Sequence, residues 1–262
     1  MIVRENHGSL EIRESAALFP LIHAVADGLQ RGWIVQDRAT DPDIMLLLGR
    51  STFGQIALCR HIDALPAFLK ELYSEPQVPT YFHIYDPGQP LLDAAAAGPF
   101  NTKVRSREQF RYTQSTRFTD ITVSQGYTLQ PLGLEHMSGL AAFNLDLGNR
   151  FWSSEEDLLK NGYGICCITA AGTPVALCYS ACVAGGVAEI DVFTLPEHRG
   201  KGLAEAASQA FVNASLERGI VPGWDCFTEN TASLRIPQRL GFTHTRQYTF
   251  LSLYNGGRDR TT

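Results

Sequence analysis

Apolar positions recur along this chain in two rhythms, the helical spacing of three and four residues and the alternation of strands, and the switches between them mark the elements. Residues 13–30 (RESAALFPLIHAVADGLQ) carry the helical spacing, and 33–37 and 43–48, the second reading DIMLLL, predict strands. A helix from Asp63 to Tyr73 follows Cys59 and His61, then a strand from Tyr81 to Tyr85. A short alanine-rich helix at 90–97 stops at Gly98-Pro99. From 102 to 118 the chain is polar and Arg-rich without a clean period, and reads as an edge strand or a connector between two halves.

The second half is patterned more regularly. A strand at 127–131 precedes a helix at 134–147, with Leu134, Met137, Leu140, Ala141 and Leu145 at helical spacing. Ser153 to Glu156 reads as a Ser-x-x-Glu capping box opening a short helix through Leu159 that stops at Gly162. Strands at 164–169 and 174–183 are joined by a turn at Ala171-Gly172, and a third strand covers 188–194. It runs through Leu195-Pro196 into a glycine-rich turn, Arg199 to Ala204. Leu203, Ala207, Ala210, Phe211 and Ala214 then line one face of a helix ending at Gly219. A strand at 224–227, a helix at 231–240 and a strand at 244–254 complete the half. This order predicts an α/β fold on a mixed sheet, with a smaller α/β domain at 1–119 and a second domain at 120–262.

Composition narrows the function. Of 262 residues, 44% are hydrophobic and 19% charged, which excludes a disordered, collagen-like or coiled-coil chain. The net charge of −5 gives no basic surface for nucleic acid. No apolar run approaches the ~18–20 residues that span a bilayer, and MIVRENHGSLEIRES is too polar for the core of a signal peptide. Six cysteines form no CxxC pair and sit in apolar, strand-like contexts, as reduced thiols do in a cytoplasmic protein. Seven histidines show neither HxxxH nor HxH spacing, so no metal site is implied.

The glycine turn carries the candidate chemistry. A strand that passes through a tight glycine turn straight into a helix presents unpaired backbone N–H groups and the positive end of the helix dipole, which suits an anion such as a pyrophosphate. Side chains at Gly200 and Gly202 would hold phosphates away from the backbone. Neither GxxxxGK[ST] nor GxGxxG is present, which disfavours an NTP or a dinucleotide.

The stretch EIDVFTLPEHRGKGLAEAA resembles motif A of the GNAT superfamily of N-acetyltransferases, with Arg199, Gly202 and Ala204 in the places of Q/R-x-x-G-x-G/A. Downstream, NTASLRIPQRLGF is similar to a second signature of that family, carried by Asn230, Ser233, Leu240, Gly241 and Phe242. FWSSEEDLLKNGYGICCI and WDCFTENTAS further resemble a bacterial subgroup with an extra N-terminal half. The resemblance implies a GNAT-like fold in the second domain. The similar alternation of helices and strands in the first domain suggests a decayed copy of the same layout.

By that resemblance, acetyl-CoA lies where two parallel strands splay apart. Val192, Phe193 and Thr194 meet its pantetheine arm, Arg199, Gly200, Lys201, Gly202, Leu203 and Ala204 cradle its pyrophosphate, and Asn230 and Ser233 border the arm. The implied reaction is direct attack of a small-molecule amine on the thioester, with a base for the ammonium proton and an acid for the thiolate. Glu189 and Asp191 share one face of the first splayed strand, and Asp225 lies on the second; Glu189 and Asp225 are the favoured pair. Glu155, Glu156 and Asp157 could attract a cationic acceptor or serve a helix's first turn. The position of the family's usual tyrosine acid is Pro237 here, and Tyr248 is the nearest substitute. A CoA-binding or interaction protein of the same fold without turnover stays the alternative. The partners implied are an amine acceptor, with neither nucleic acid nor membrane, and the assembly allowed for is a homodimer.

Overall fold

Runs of Ile, Leu and Val form the strands, and Ala- and Leu-rich stretches form the helices. In chain order they are β1 (Ile2–Glu5), α1 (Pro20–Ala26), β2 (Gly32–Gln36), β3 (Ile44–Gly49), β4 (Phe53–Cys59), α2 (Leu65–Ser74), β5 (Tyr81–Tyr85), α3 (Gly88–Ala97) and β6 (Asn101–Arg111). There follow β7 (Tyr127–Pro131), α4 (Leu134–Leu140), α5 (Leu147–Arg150), α6 (Glu155–Asn161), β8 (Gly164–Thr169), β9 (Pro174–Ala184), β10 (Val187–Thr194), α7 (Leu203–Glu217), β11 (Val221–Phe227), α8 (Thr231–Leu240) and β12 (Thr243–Tyr254). The structure, a computed structural model, describes residues 1–6, 8, 10, 18–140, 143 and 147–256. Among these, no helix is long and apolar enough to cross a membrane.

The chain forms two compact units, residues 1–107 with 247–262, and residues 108–246. In the first, the strand order is β1-β2-β3-β4-β5 followed by residues 247–254 of β12. Its main core packs Leu46, Leu48, Phe82, Ile84 and Leu251 of the sheet against Phe68, Leu69 and Leu72 of α2 and Leu91 of α3. Each such side chain contributes about 1.5–3 kcal/mol on burial. In the second, the order is β11-β10-β9-β8-β7, with the end of β6 beside β11. Phe211 and Val212 of α7 lie on one face with Ile190 and Trp224. Met137, Leu140, Trp152 and Leu158 cover the other face at Tyr179.

One element order occurs twice. A strand, helical segments, three strands, a helix, a strand and a helix run from β1 to α3 and again from β7 to α8. In both units three antiparallel pairings lead to a parallel one, β4 with β5 and β10 with β11. β12, however, pairs with β5, from Phe250 opposite Tyr85 to Tyr254 opposite Tyr81. That pairing assigns the end of the chain to the first unit, and 108–119 falls in the second, so both ends differ from the division at 119/120 expected from the sequence.

Other differences have local causes. The helix expected at 13–30 is described as Pro20–Ala26; residues 13–17 lie outside the described residues. Pro20 takes the first helical position, where no N–H is needed, and the amides of Leu29 and Gln30 turn back to the Ala24 carbonyl. Two strands carry no apolar run that reveals them: β1, and β4, where Gly54 and Gln55 interrupt the pattern. A Cβ on Gly54 would stand 2.9 Å from the Leu47 carbonyl oxygen, so the interruption is a packing requirement. The polar stretch after 102 forms β6. In the second unit it is no edge, because Tyr112 N donates to the Pro222 carbonyl on one side and Thr245 Oγ1 to the Gln109 carbonyl on the other. The helix expected at 134–147 is described as α4 and the start of α5; Ala141 and Leu145 lie outside the described residues. The capping box sits one residue later than expected: Ser154 Oγ accepts from Asp157 N, and Asp157 accepts from Ser153 N.

Candidate active site

The site begins where a ladder stops. β10 and β11 pair in parallel only over Val187–Glu189 and Val221–Gly223. At the same level β9 carries one extra residue, since Glu189 faces Cys182 and Ile190 faces Ser180. Such a bulge bends and twists a strand, and beyond it β10 and β11 part. The resulting cavity of about 510 Å³ lies wholly within the second unit and is lined by Val192, Phe193, Thr194, Arg199, Gly200, Gly202, Leu203, Ala204, Asn230 and Ser233. All ten were singled out in the sequence. The lining also includes His198, Glu205, Ala232 and Ile236, which were not. Ile236 had a legible signal, three residues beyond Ser233 on the same helix face.

The turn is shaped for an anion. Gly200 and Gly202 hold φ of +75° and +74°, and an added Cβ would point into open space at both. Gly202 is the N-cap of α7 and brings no capping side chain, so among the described residues no cap receives the first helical amides. The Arg199 side chain braces the strand end, with Nε donating to the Thr194 carbonyl at 3.1 Å. Thr194 Oγ1 is buried with no hydrogen-bond partner among the described residues. A buried hydroxyl in that condition calls for an acceptor or donor from outside the chain. Asn230 caps α8 by accepting from Ser233 N at 3.2 Å, and the Ser233 hydroxyl accepts from Trp224 Nε1 at 3.1 Å. Lys201 does not line the cavity; its ammonium donates to the Tyr127 hydroxyl at 2.8 Å.

The three carboxylates differ in surroundings. Ile190 and Val192 pack beneath α7, so Glu189 and Asp191 lie on the opposite face of β10. Trp224 and Cys226 join the same core, which puts Asp225 on that opposite face of β11. Glu189 is buried and 3.6 Å from Arg111. It leans toward β11, where a Cβ on Gly223 would be 3.0 Å from its Oε2. Asp191 accepts from the Tyr179 hydroxyl at 2.9 Å and pairs with Arg150 at 3.1 Å. Burial first, and then the Asp191 charge, hold the Tyr179 phenol well above its usual range. Asp225 is half-buried beside the widening gap.

Tyr248 lies in the first unit, buried against Phe19 at 4.8 Å and Tyr85 at 6.0 Å between ring centroids. Its place is in an aromatic core. Pro237 is buried inside α8 and brings no ionisable group. Asp157 belongs to the cap of α6, and the Glu156 carboxyl is held below its usual range by its own backbone amide and by Ser154. These acidic residues act on their own helix.

Known proteins share this architecture. The profile of the GNAT acetyltransferase family matches residues 21–251. Over 143 residues the chain is 30% identical to YdfB, an uncharacterized N-acetyltransferase of Bacillus subtilis strain 168. That match covers 55% of this chain and 54% of YdfB, so the chain spans about half the length of the curated relative. Among solved structures it is similar to a GCN5-related N-acetyltransferase-like protein from Streptococcus suis 89/1591, at TM-score 0.65 and 22% identity over 85% of this chain and 88% of that one. It is also similar to a tandem GNAT protein from the clavulanic acid biosynthesis pathway, at TM-score 0.56 and 14% identity over 87% and 84%. At these identities the likeness to the solved structures speaks for the fold alone.

Proposed function

The chain belongs to the GNAT acetyltransferase family, and from that premise we propose that it is an acetyl-CoA-dependent N-acetyltransferase acting on the amine of a small molecule. One observation carries the reading. An uncapped glycine turn closes the cavity between two parting parallel strands, and the partnerless hydroxyl of Thr194 is buried at its wall.

In this reading acetyl-CoA supplies the acyl group as a thioester, and the chain's residues bind it and handle the protons. Amides of 200–204 receive the diphosphate. The edge of β10 at Val192–Thr194, which β11 leaves, hydrogen-bonds the pantetheine arm, and Asn230 and Ser233 border it. Asp225 takes the ammonium proton so that the neutral amine attacks, and being half-buried it can pass that proton on to water. Glu189 is shielded from water and paired with Arg111 where the β10–β11 ladder ends. All six cysteines are thiols, five of them buried, which supports a reducing compartment, the cytoplasm.

Calorimetric titration with acetyl-CoA, followed by thiol release across a panel of amines, tests the proposal. Binding with turnover on at least one amine is the expected result, and absence of binding defeats it. Pro237 favours a second reading, a coenzyme A-binding protein without turnover. Binding with no thiol release on any amine is its signature.

A further inference from the structure

Beside the glycine turn stands a side-chain cluster that the reaction above does not use. His198 lines the cavity, and its Nδ1 lies 2.9 Å from the hydroxyl of Tyr127 on β7. The two rings meet edge-on, with an interplanar angle of 90°. The same hydroxyl accepts from Lys201 Nζ at 2.8 Å, and the Lys201 carbonyl accepts from Ser124 Oγ at 2.7 Å. A lysine in a phosphate turn would ordinarily be read as a direct anion contact. This one is turned aside onto a phenol.

The consequence is for the histidine. An ammonium group only donates, so Lys201 occupies a lone pair of the phenol oxygen and makes its O–H a stronger donor. In the arrangement where that proton goes to Nδ1, the neutral imidazole accepting there carries its hydrogen on Nε2. In the imidazolium form Nε2 also carries a hydrogen. In that arrangement Nε2 is a donor in both charge states, and it has no partner among the described residues. A permanent N–H donor on the wall of a cavity whose floor is a turn of unpaired amides is fitted to a phosphate oxygen and not to a cationic amine.

We infer that His198 donates from Nε2 to a phosphate of the coenzyme held in this cavity, with Tyr127 and Lys201 as the residues that fix its tautomer. The inference rests on the reading of the cavity as the coenzyme A site, and the two can be tested apart. Calorimetric titration of the full chain with coenzyme A, dephospho-coenzyme A and acetyl-pantetheine, which lacks all the phosphates, separates them.

Coenzyme A is expected to bind His198→Ala about tenfold more weakly, the loss typical of one hydrogen bond to a charged group. His198→Gln keeps the affinity, because its amide nitrogen can stand where Nε2 stands, and His198→Asn does not. Tyr127→Phe weakens binding several-fold alone and adds nothing in the His198→Ala background. Acetyl-pantetheine binds all variants equally. A loss that persists with dephospho-coenzyme A assigns the contact to the diphosphate, and a loss that vanishes assigns it to the 3′-phosphate. Nitrogen-15 shifts of His198 report a proton on Nε2 in the unaltered protein and a mixture of tautomers in Tyr127→Phe. Full affinity in His198→Ala, an equal loss for acetyl-pantetheine, or an unprotonated Nε2 overturns the inference. Failure of the unaltered protein to bind coenzyme A overturns instead the reading on which it rests.

Discussion

Glu189 and Asp225 share a face and a chemical group, yet their surroundings give them different work. Asp225→Asn is expected to lower kcat/KM on the true acceptor by roughly the 10²-fold that a general base supplies, with acetyl-CoA affinity little changed. Because the acceptor must lose a proton first, kcat/KM rises with pH and then levels, and in the variant, where only solvent takes that proton, the rise extends to higher pH. Coenzyme A thiolate leaves readily, since thiols titrate near pH ~8.5, so the missing tyrosine at Pro237 does not forbid turnover. Glu189→Gln leaves Arg111, itself mostly buried, without its counter-charge. Its expected effect is a drop in unfolding free energy on the order of 3 kcal/mol, read in denaturant titration, whatever happens to catalysis. In the first unit, burial first and then Arg107 and Arg105 hold the His83 imidazole down at about 4. The unfolded chain protonates this histidine near pH ~6.5 while the folded one does not. Stability is therefore full above that pH and is lost as pH falls toward about 4. His83→Phe is expected to flatten this part of the stability–pH curve.

In the proposed function the turn between β10 and α7 binds through its backbone, which is why its sequence is informative. Gly200 and Gly202 both hold a positive φ, and in the proposed function a ligand also approaches their backbone. Gly202→Val therefore carries two penalties. It blocks the amides, abolishing acetyl-CoA binding by calorimetry, and it strains a left-handed position by about 1–2 kcal/mol, visible as a modest fall in Tm. Intact coenzyme binding in this variant sinks the phosphate assignment. The splay was legible only through the family resemblance, and the β10–β11 ladder does end at Glu189 and Gly223. What stayed hidden depended on distant partners. Lys201 reads as a phosphate contact until Tyr127, seventy-four residues away, is seen to hold it. His198 carries no signal of its own in the sequence, and its place shows only in the contact with the same hydroxyl. β4 was lost to Gly54, whose reason is the Leu47 carbonyl across the sheet. Local pattern reports local causes.

At the scale of the molecule, a layout used twice explains why both halves alternate strands and helices, but it does not say which strand closes which unit. β12 was legible as a strand; that residues 247–254 pair with β5 was not, because pairing partners leave no mark in a single chain's period. Ending the chain at Arg246 is therefore expected to unfold residues 1–107 while leaving 108–246 compact. Limited proteolysis with mass mapping reads the result directly, and cleavage spread evenly over both units speaks against it.

That closing pair also sets an order of events at the ribosome. Synthesis delivers β1 to β5 first, and the partner of β5 follows only after β6 to β11. Until then the edge of β5 at Tyr81–Tyr85 offers unpaired N–H and C=O groups, beside a core that includes Phe82 and Ile84, and open edges of that kind recruit other chains. The second unit has its core complete by residue 246 and can settle first. Of the two units, the one whose strands begin earlier in the chain is thus completed later. A chaperone that shields a nascent strand has its longest task here, over the stretch of translation between residues 86 and 250.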